Sequence, residues 1–424
     1  MTDATVTPAT PASPARPAAL AAGVRISEID MLRGLVIVLM ALDHVRDYFF
    51  TGGGFAINPL DPAQTTPWLY TTRWITHLCA PTFVLLSGVS AYLQFAKGKT
   101  IPELSRFLLT RGLWLIFLEV TLISFGWQFA VPWMIFMQVI WAIGWCMIAL
   151  AALIWLPRMA VMAIGLAIVL GHNLLDPISA EQFGSWALLW TFLHEGGPIF
   201  VGEMPIGVMA YPILPWIGVI AVGYGLGALF LEPPAKRDRT ILTLGLSMLA
   251  AFVLLRGFDL YGNPPANARG GPFGATEMTW QSQPELGGKI MGFFDVEKYP
   301  PSLQFLLVTL GIVFALWPLL SKLRGPAASV LNTFGAVPFF FYVLHVYLVH
   351  VLAIAANAAF GRDVSPFFNY LVNGFTGMPA MQQLGFPLPG VYLAWITVVA
   401  LLYPVCRWWQ GVRARERKWW MSYL

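Results

Sequence analysis

The chain has 424 residues, of which 58% are hydrophobic and only 11% charged, against roughly 25% charged in soluble domains. That balance excludes a soluble globular enzyme and describes a polytopic membrane protein. The formal net charge of +4 follows from an uneven spread of Lys and Arg between loops and calls for no nucleic-acid partner.

Residues 1–24 are mostly Ala, Pro and Thr, without the apolar segment of a signal peptide, and are predicted to be a disordered cytoplasmic tail. The first apolar run then acts as its own targeting signal. Runs close to the length that spans about 30 Å of hydrocarbon, about 20 residues, follow at 29–50, 73–96, 106–127, 133–155, 159–175, 211–231, 240–258, 301–321, 334–357 and 388–407. The predicted fold class is therefore all-α, with about ten transmembrane helices in one unit over 25–410 and a basic, aromatic cytoplasmic tail at 411–424 that anchors at the interface. Two shorter apolar pieces, Trp186–Leu193 and Val364–Val372, cannot span and read as interfacial or re-entrant. The sixth run opens Tyr211-Pro-Ile-Leu-Pro-Trp216, and two prolines in one turn predict a break or kink near its outer end.

Placing the N-terminus inside gives the cytoplasmic side all of the 25 Lys and Arg except Arg46, Arg73, Arg256, Arg269, Lys289, Lys298 and Arg362. Both termini are then cytoplasmic, as an even number of spans requires. External connections at 176–210, 259–300 and 358–387 exceed the roughly 12–15 residues beyond which loops tend to be functional or unstructured. The second is rich in Gly and Pro (Asn263-Pro-Pro265, Arg269-Gly-Gly-Pro272, Gly287-Gly288), suited to folding over a site. The chemistry is expected to face outward. Cys79, Cys146 and Cys406 lie in or beside apolar runs without a CxxC pair and are assigned to packing.

Ionisable groups inside a span are costly and point to function. On the first helix, His44 and Asp47 are three apart, and Asp43 and Tyr48 are each four from a partner on the same rim. Fifteen residues at about 1.5 Å each put His44 roughly 22 Å up, in the outer third of the membrane. A neutral His there, backed by an acid, serves as a general base on an incoming hydroxyl or amine; the bland reading is a buried His bonded across helices. His77, near the outer end of the second helix, is placed to meet His44. The ninth run carries His345 and His350, about 140° apart on a regular helix, so both cannot line one cavity. His345 is the better cavity residue, and His350 is read as reaching the outer interface. His172 and His194 border external loops and carry little weight. No HExxH motif or carboxylate pairing accompanies any of these, so no metal is expected.

Ile29-Asp-Met-Leu-Arg33-Gly34, with His44 eleven residues after the Arg, resembles the first-helix signature of the transmembrane acyltransferase superfamily. Leu42-Asp-His-Val-Arg-Asp-Tyr-Phe49, Thr76-His-Leu-Cys-Ala-Pro-Thr-Phe-Val-Leu-Leu-Ser-Gly88, Tyr211-Pro-Ile-Leu-Pro-Trp-Ile-Gly218, Lys298-Tyr-Pro-Pro-Ser302 and Phe334-Gly-Ala-Val-Pro338 are similar to the heparan-α-glucosaminide N-acetyltransferase-like branch in its bacterial form. The resemblance implies a multi-pass protein of the bacterial inner membrane that moves an acetyl or short acyl group from cytoplasmic acyl-CoA, acetyl-CoA being the co-substrate. The acceptor would be a sugar amine or hydroxyl on an external glycan or glycolipid, and a homo-oligomer is compatible. It also implies a departure: the animal enzyme has Asn where this chain has His44 and keeps its catalytic His in the following loop, whereas Thr51–Thr72 here contains none. The candidate catalytic residues are thus His44, Asp43, Asp47 and His77, and the candidate acyl-CoA contacts are Arg33, Asp30 and His345. A small-solute transporter or channel using the same polar rims is the alternative, disfavoured by the lack of internal repeats.

Overall fold

The computed structural model describes residues 26–131, 133–202, 204–264, 279–416 and 418–423. The predicted N-terminal tail, and Arg269-Gly-Gly-Pro272 of the second external loop, lie outside the described residues. In chain order the helices are α1 (Ser27–Phe49), α2 (Pro67–Ile75), α3 (Cys79–Ala96), α4 (Ile101–Leu118), α5 (Ser124–Gln128), α6 (Val139–Leu153), α7 (Arg158–Gly171) and α8 (Ala187–Trp190). They continue with α9 (Ile213–Leu226), α10 (Pro234–Gly257), α11 (Leu286–Phe294), α12 (Leu303–Lys322), α13 (Pro326–Ala336), α14 (Pro338–Ala359), α15 (Tyr370–Phe375) and α16 (Leu388–Glu416). The protein is an all-α polytopic membrane protein.

Among the described residues, eight helical stretches are long and apolar enough to span, including Pro67–Ala96, which joins α2 to α3, and Ile101–Gln128, which joins α4 to α5. The ten predicted runs are completed by α1, which is long enough but carries charges, and by α6, which is apolar but only 15 residues long. Hydroxyls cap the starts of α2, α4 and α12: Thr66 accepts from the Leu69 amide, Thr100 and Glu103 form a reciprocal capping box, and Ser302 accepts from Phe305 N.

Contacts between helix ends fix the topology. Arg33 of α1 donates to Ser90 near the end of α3, Arg237 at the start of α10 pairs with Glu28 at 2.8 Å, and Arg158 of α7 donates to the Gly225 carbonyl near the end of α9 at 2.6 Å. Arg413, late in α16, donates to the Ala336 carbonyl at the end of α13. At the opposite face the amide of Phe386 donates to Phe49 O, and that of Asn369 to Gln128 O. Successive spans therefore alternate in direction, and the start of α1 shares a face with the end of α16.

α1 is enclosed by protein rather than lipid, packing on α13, α14, α16 and α3. This is what lets one helix hold Asp30, Asp43, His44, Arg46 and Asp47 within a membrane. Its approach to α13 is backbone to backbone: a Cβ on Gly34 would stand 1.9 Å from Leu331 O, and one on Gly335 would stand 1.7 Å from Asp30 O.

Three features differ from the sequence expectation. The run at 133–155 begins not as helix but as β1 (Ile135–Met137), which pairs in parallel with β3 (Met204–Met209), itself antiparallel to β2 (Gly197–Val201) with a bulge between Ile199 and Phe200. Short half-exposed strands carry too little period-2 signal to separate from an adjoining apolar helix. The two prolines of the sixth run start α9 instead of kinking it, with Pro212 as N-cap and Pro215 in the first turn, where no amide partner is lost. His350 is not exposed at the outer end of the bundle but fully buried there, lying 2.9 Å from Gly126 O and 3.0 Å from Phe367 O.

Candidate functional site

The last turns of α1 meet the middle of α14 at a pair of histidines. His44 Nδ1 lies 2.7 Å from His345 Nε2, with the rings stacked at 4.9 Å. His345 Nδ1 lies 3.2 Å from Phe341 O. A carbonyl only accepts, so His345 Nδ1 carries the hydrogen and its Nε2, in the neutral ring, is the acceptor. His44 then donates from Nδ1, which leaves the lone pair on its Nε2. The arrangement presents a neutral imidazole with a fixed tautomer, the form a general base requires. Trp127 closes on the His44 ring edge-on at 4.9 Å and Tyr342 at 6.3 Å.

Sequence reasoning expected an acid behind His44; the structure places His345 there, and the acids are committed elsewhere. Asp43 accepts from Arg73 at 2.8 Å and from Arg46 at 3.1 Å, and Asp47 accepts from Arg46 at 2.6 Å. Two buried guanidiniums satisfy these carboxylates, which a membrane interior would otherwise exclude. Tyr48 donates to the Trp127 carbonyl at 2.8 Å. Lys298 joins this outer cluster, its ammonium 4.9 Å from the Tyr299 ring. Burial alone would raise the Tyr299 phenol, but the Lys298 and Arg73 cations outweigh it and hold it below its ordinary value.

His77 does not contact His44. It is buried between Trp74 and Phe305, with ring centroids at 6.2 and 5.4 Å, and neither of its ring nitrogens has a partner. The ring nitrogens of His77 are thus buried yet free of hydrogen bonds to the described residues, a costly arrangement for polar atoms.

On the terminal side of the histidine pair a cavity of about 650 Å³ runs between α1, α3, α4, α6 and α14. Its lining is graded. Asp30, Arg33, Lys97, Arg111 and Arg413 gather near the face that carries the termini, whereas Met40, Leu115, Ile140 and Tyr342 line its interior. Asp30 and Arg33 pair at 3.2 Å. Neither His44 nor His345 is in this lining; the pair sits behind Tyr342, whose ring is 6.3 Å from that of His44 and 5.4 Å from that of His345. The sequence-named residues therefore divide into a cavity set, Asp30 and Arg33, a central pair, His44 and His345, and an outer set, Asp43, Asp47 and His77.

Glu119 was missed. It sits on a π-type turn, Glu119–Ile123, between α4 and α5, is fully buried, and turns its carboxylate toward the backbone N–H groups of Gln138 and Trp141 at the start of α6 without closing a well-formed hydrogen bond to either. A helix start is a favourable place for a carboxylate, and π-type turns recur at functional sites. The rule that singled out His44, an ionisable residue inside an apolar run, applies equally to Glu119. Arg111 and Arg413 were legible only as cytoplasmic charge.

A family model described as heparan-alpha-glucosaminide N-acetyltransferase, catalytic, matches residues 25–257, more than half of the chain. A comparison with curated proteins gave no match. The matched segment contains α1 with His44, the Arg73 and His77 segment, and most of the cavity wall, so the chain belongs to the heparan-alpha-glucosaminide N-acetyltransferase catalytic family of membrane acetyltransferases.

Proposed function

We propose that the protein transfers an acetyl or short acyl group from cytoplasmic acetyl-CoA, bound in the graded cavity, to a sugar amine or hydroxyl that enters from the external face. The observation that carries this reading is the cavity's ending at Tyr342, beside a histidine pair that leaves His44 Nε2 as acceptor. Arg33, Lys97, Arg111 and Arg413 suit the phosphates of a CoA head group, and the apolar interior suits the pantetheine arm. The positive-rich face lies in the cytoplasm of a bacterial inner membrane, in keeping with the Lys and Arg bias.

In the reaction, the acceptor's O–H or N–H gives its proton to His44 Nε2 as oxygen or nitrogen attacks the thioester carbonyl. The C–S bond breaks, the coenzyme leaves as thiolate, and the proton on His44 returns to it. His345 holds the His44 tautomer and shares the transient imidazolium charge. Asp43, Arg46, Asp47 and Arg73 keep the outer end of α1 in place, and His77 with Lys298 offers polar contacts to the acceptor. A general base contributes typically about 10²–10⁴-fold.

His44→Ala tests this. The variant should insert and purify normally, bind acetyl-CoA as the wild type does, and lose acyl transfer by at least about 100-fold. Turnover near wild type would remove His44 from the mechanism, and failure of the wild-type protein to bind acetyl-CoA would remove the reading as a whole, leaving a transport role.

A further inference from the structure

At the external end of α7, distant in sequence from α1 and α14, three side chains converge that the transfer mechanism does not use. His172 lies in the single 3₁₀ turn that ends α7, Asp176 one turn beyond it, and His194 on the π-type turn Thr191–Glu195 of the following loop. One donor atom from each falls within 4.8 Å of the other two. Both histidines are only 2% exposed.

The polar accounting here does not close. The Pro301 carbonyl faces the His172 ring and can take the hydrogen of one nitrogen, and the other nitrogen, which then carries the lone pair, has no hydrogen-bond partner among the described residues. Asp176 Oδ1 is likewise buried without a hydrogen bond. These groups belong to the types that bind a borderline-soft divalent cation. Their supports are already made. Asn173 Nδ2 donates to Asp176 Oδ2 at 2.9 Å, leaving Oδ1 without that bond, and Asn173 Oδ1 accepts from Leu303 N at 2.9 Å, tying the group to α12. Trp190 stacks on His194 at 5.4 Å with the planes 18° apart. Such partners orient metal ligands.

We propose that His172, Asp176 and His194 bind one zinc-type divalent cation, which clips the loop after α7 to the outer end of the helix bundle. In a tetrahedron with bonds of about 2.0–2.2 Å, donor atoms stand about 3.3–3.5 Å apart. His194 Nε2 and Asp176 Oδ1 are already at 3.5 Å, so binding requires rotation of the His172 and His194 rings and a change of the His194 tautomer. His194 Nε2 now donates to the His172 carbonyl at 3.0 Å; on binding, that hydrogen moves to Nδ1 and Nε2 turns its lone pair to the metal. Three protein ligands leave a fourth position for water or an external ligand. The two histidines are 22 residues apart in sequence with no short-range motif between them, so the chain order alone gave no sign of the site.

The test uses the full-length protein purified on a non-histidine affinity handle and stripped with chelator. Calorimetric titration with Zn²⁺ should show one saturable site per chain, and Co²⁺ should give the visible absorption of a tetrahedral N/O site. Asp176→Asn, which keeps the side-chain shape, and His172→Gln should each weaken Zn²⁺ binding at least about tenfold while the thermal midpoint of the metal-free protein stays within a few degrees of wild type. Should His172→Gln fail to fold, Asp176→Asn and the Co²⁺ spectrum decide. Absence of a stoichiometric site in the wild type, or wild-type affinity in Asp176→Asn, overturns the proposal. None of these readouts depends on acyl transfer.

Discussion

Replacing His345 by Phe isolates the tautomer argument from the rest of the site. Phe keeps a flat ring at a fully buried position that already stacks on Phe341 at 5.3 Å, but it removes the acceptor 2.7 Å from His44 Nδ1. A neutral buried hydrogen bond contributes about 1 kcal/mol, and leaving its donor unsatisfied costs about 1–3 kcal/mol more. His44 relieves that cost by placing its hydrogen on Nε2, which is the nitrogen the reaction needs bare. At about 1.4 kcal/mol per factor of ten, the competent tautomer falls about tenfold to hundredfold. The measurement is the initial rate of radiolabelled acetyl transfer from acetyl-CoA into envelope material, in vesicles from cells carrying only the variant. The fall should appear in kcat, with the KM for acetyl-CoA within about twofold, because His345 does not line the cavity. His345→Gln, which offers an amide oxygen, should recover part of the loss. Turnover within twofold of wild type for His345→Phe, or a rise in KM in place of a fall in kcat, would refute the assigned hydrogen positions.

Arg33→Ala should weaken acetyl-CoA binding about tenfold by calorimetry, in line with the loss of a charge-assisted contact; unchanged affinity would limit Arg33 to its bonds with Asp30 and Ser90. Gly34→Val should separate α1 from α13, because even a Cβ would meet the Leu331 carbonyl at 1.9 Å. A destabilisation of about 3 kcal/mol or more is expected, read as a lower thermal midpoint and weaker activity, and a wild-type midpoint would show that the helices do not approach this closely. Sidedness is checked by single cysteines at exposed positions: Gln64→Cys should react with an impermeant external reagent and Lys236→Cys should not. The native Cys79, Cys146 and Cys406 are buried and should stay silent. The opposite labelling pattern would invert the topology and with it the direction of transfer.

That the chain is an all-α membrane protein, and the approximate limits of its eight long apolar helical stretches among the described residues, were legible from its apolar runs and low charge, because a bilayer demands long apolar helices. His44 was legible for the same reason, and Glu119 could have been. The motifs of α1 carried the family. What α1 would touch was not legible: that depends on α14, some 300 residues later, presenting His345 rather than an acid, and on Arg46 and Arg73 taking up Asp43 and Asp47. The backbone contact of Gly34 and Gly335, the three-stranded sheet and the convergence of His172, Asp176 and His194 likewise join segments far apart in the chain. Local hydrophobicity determines which segments enter the membrane, because each segment is paired with the same solvent. Which polar groups face one another inside is decided by packing between helices, and only the tertiary structure records it.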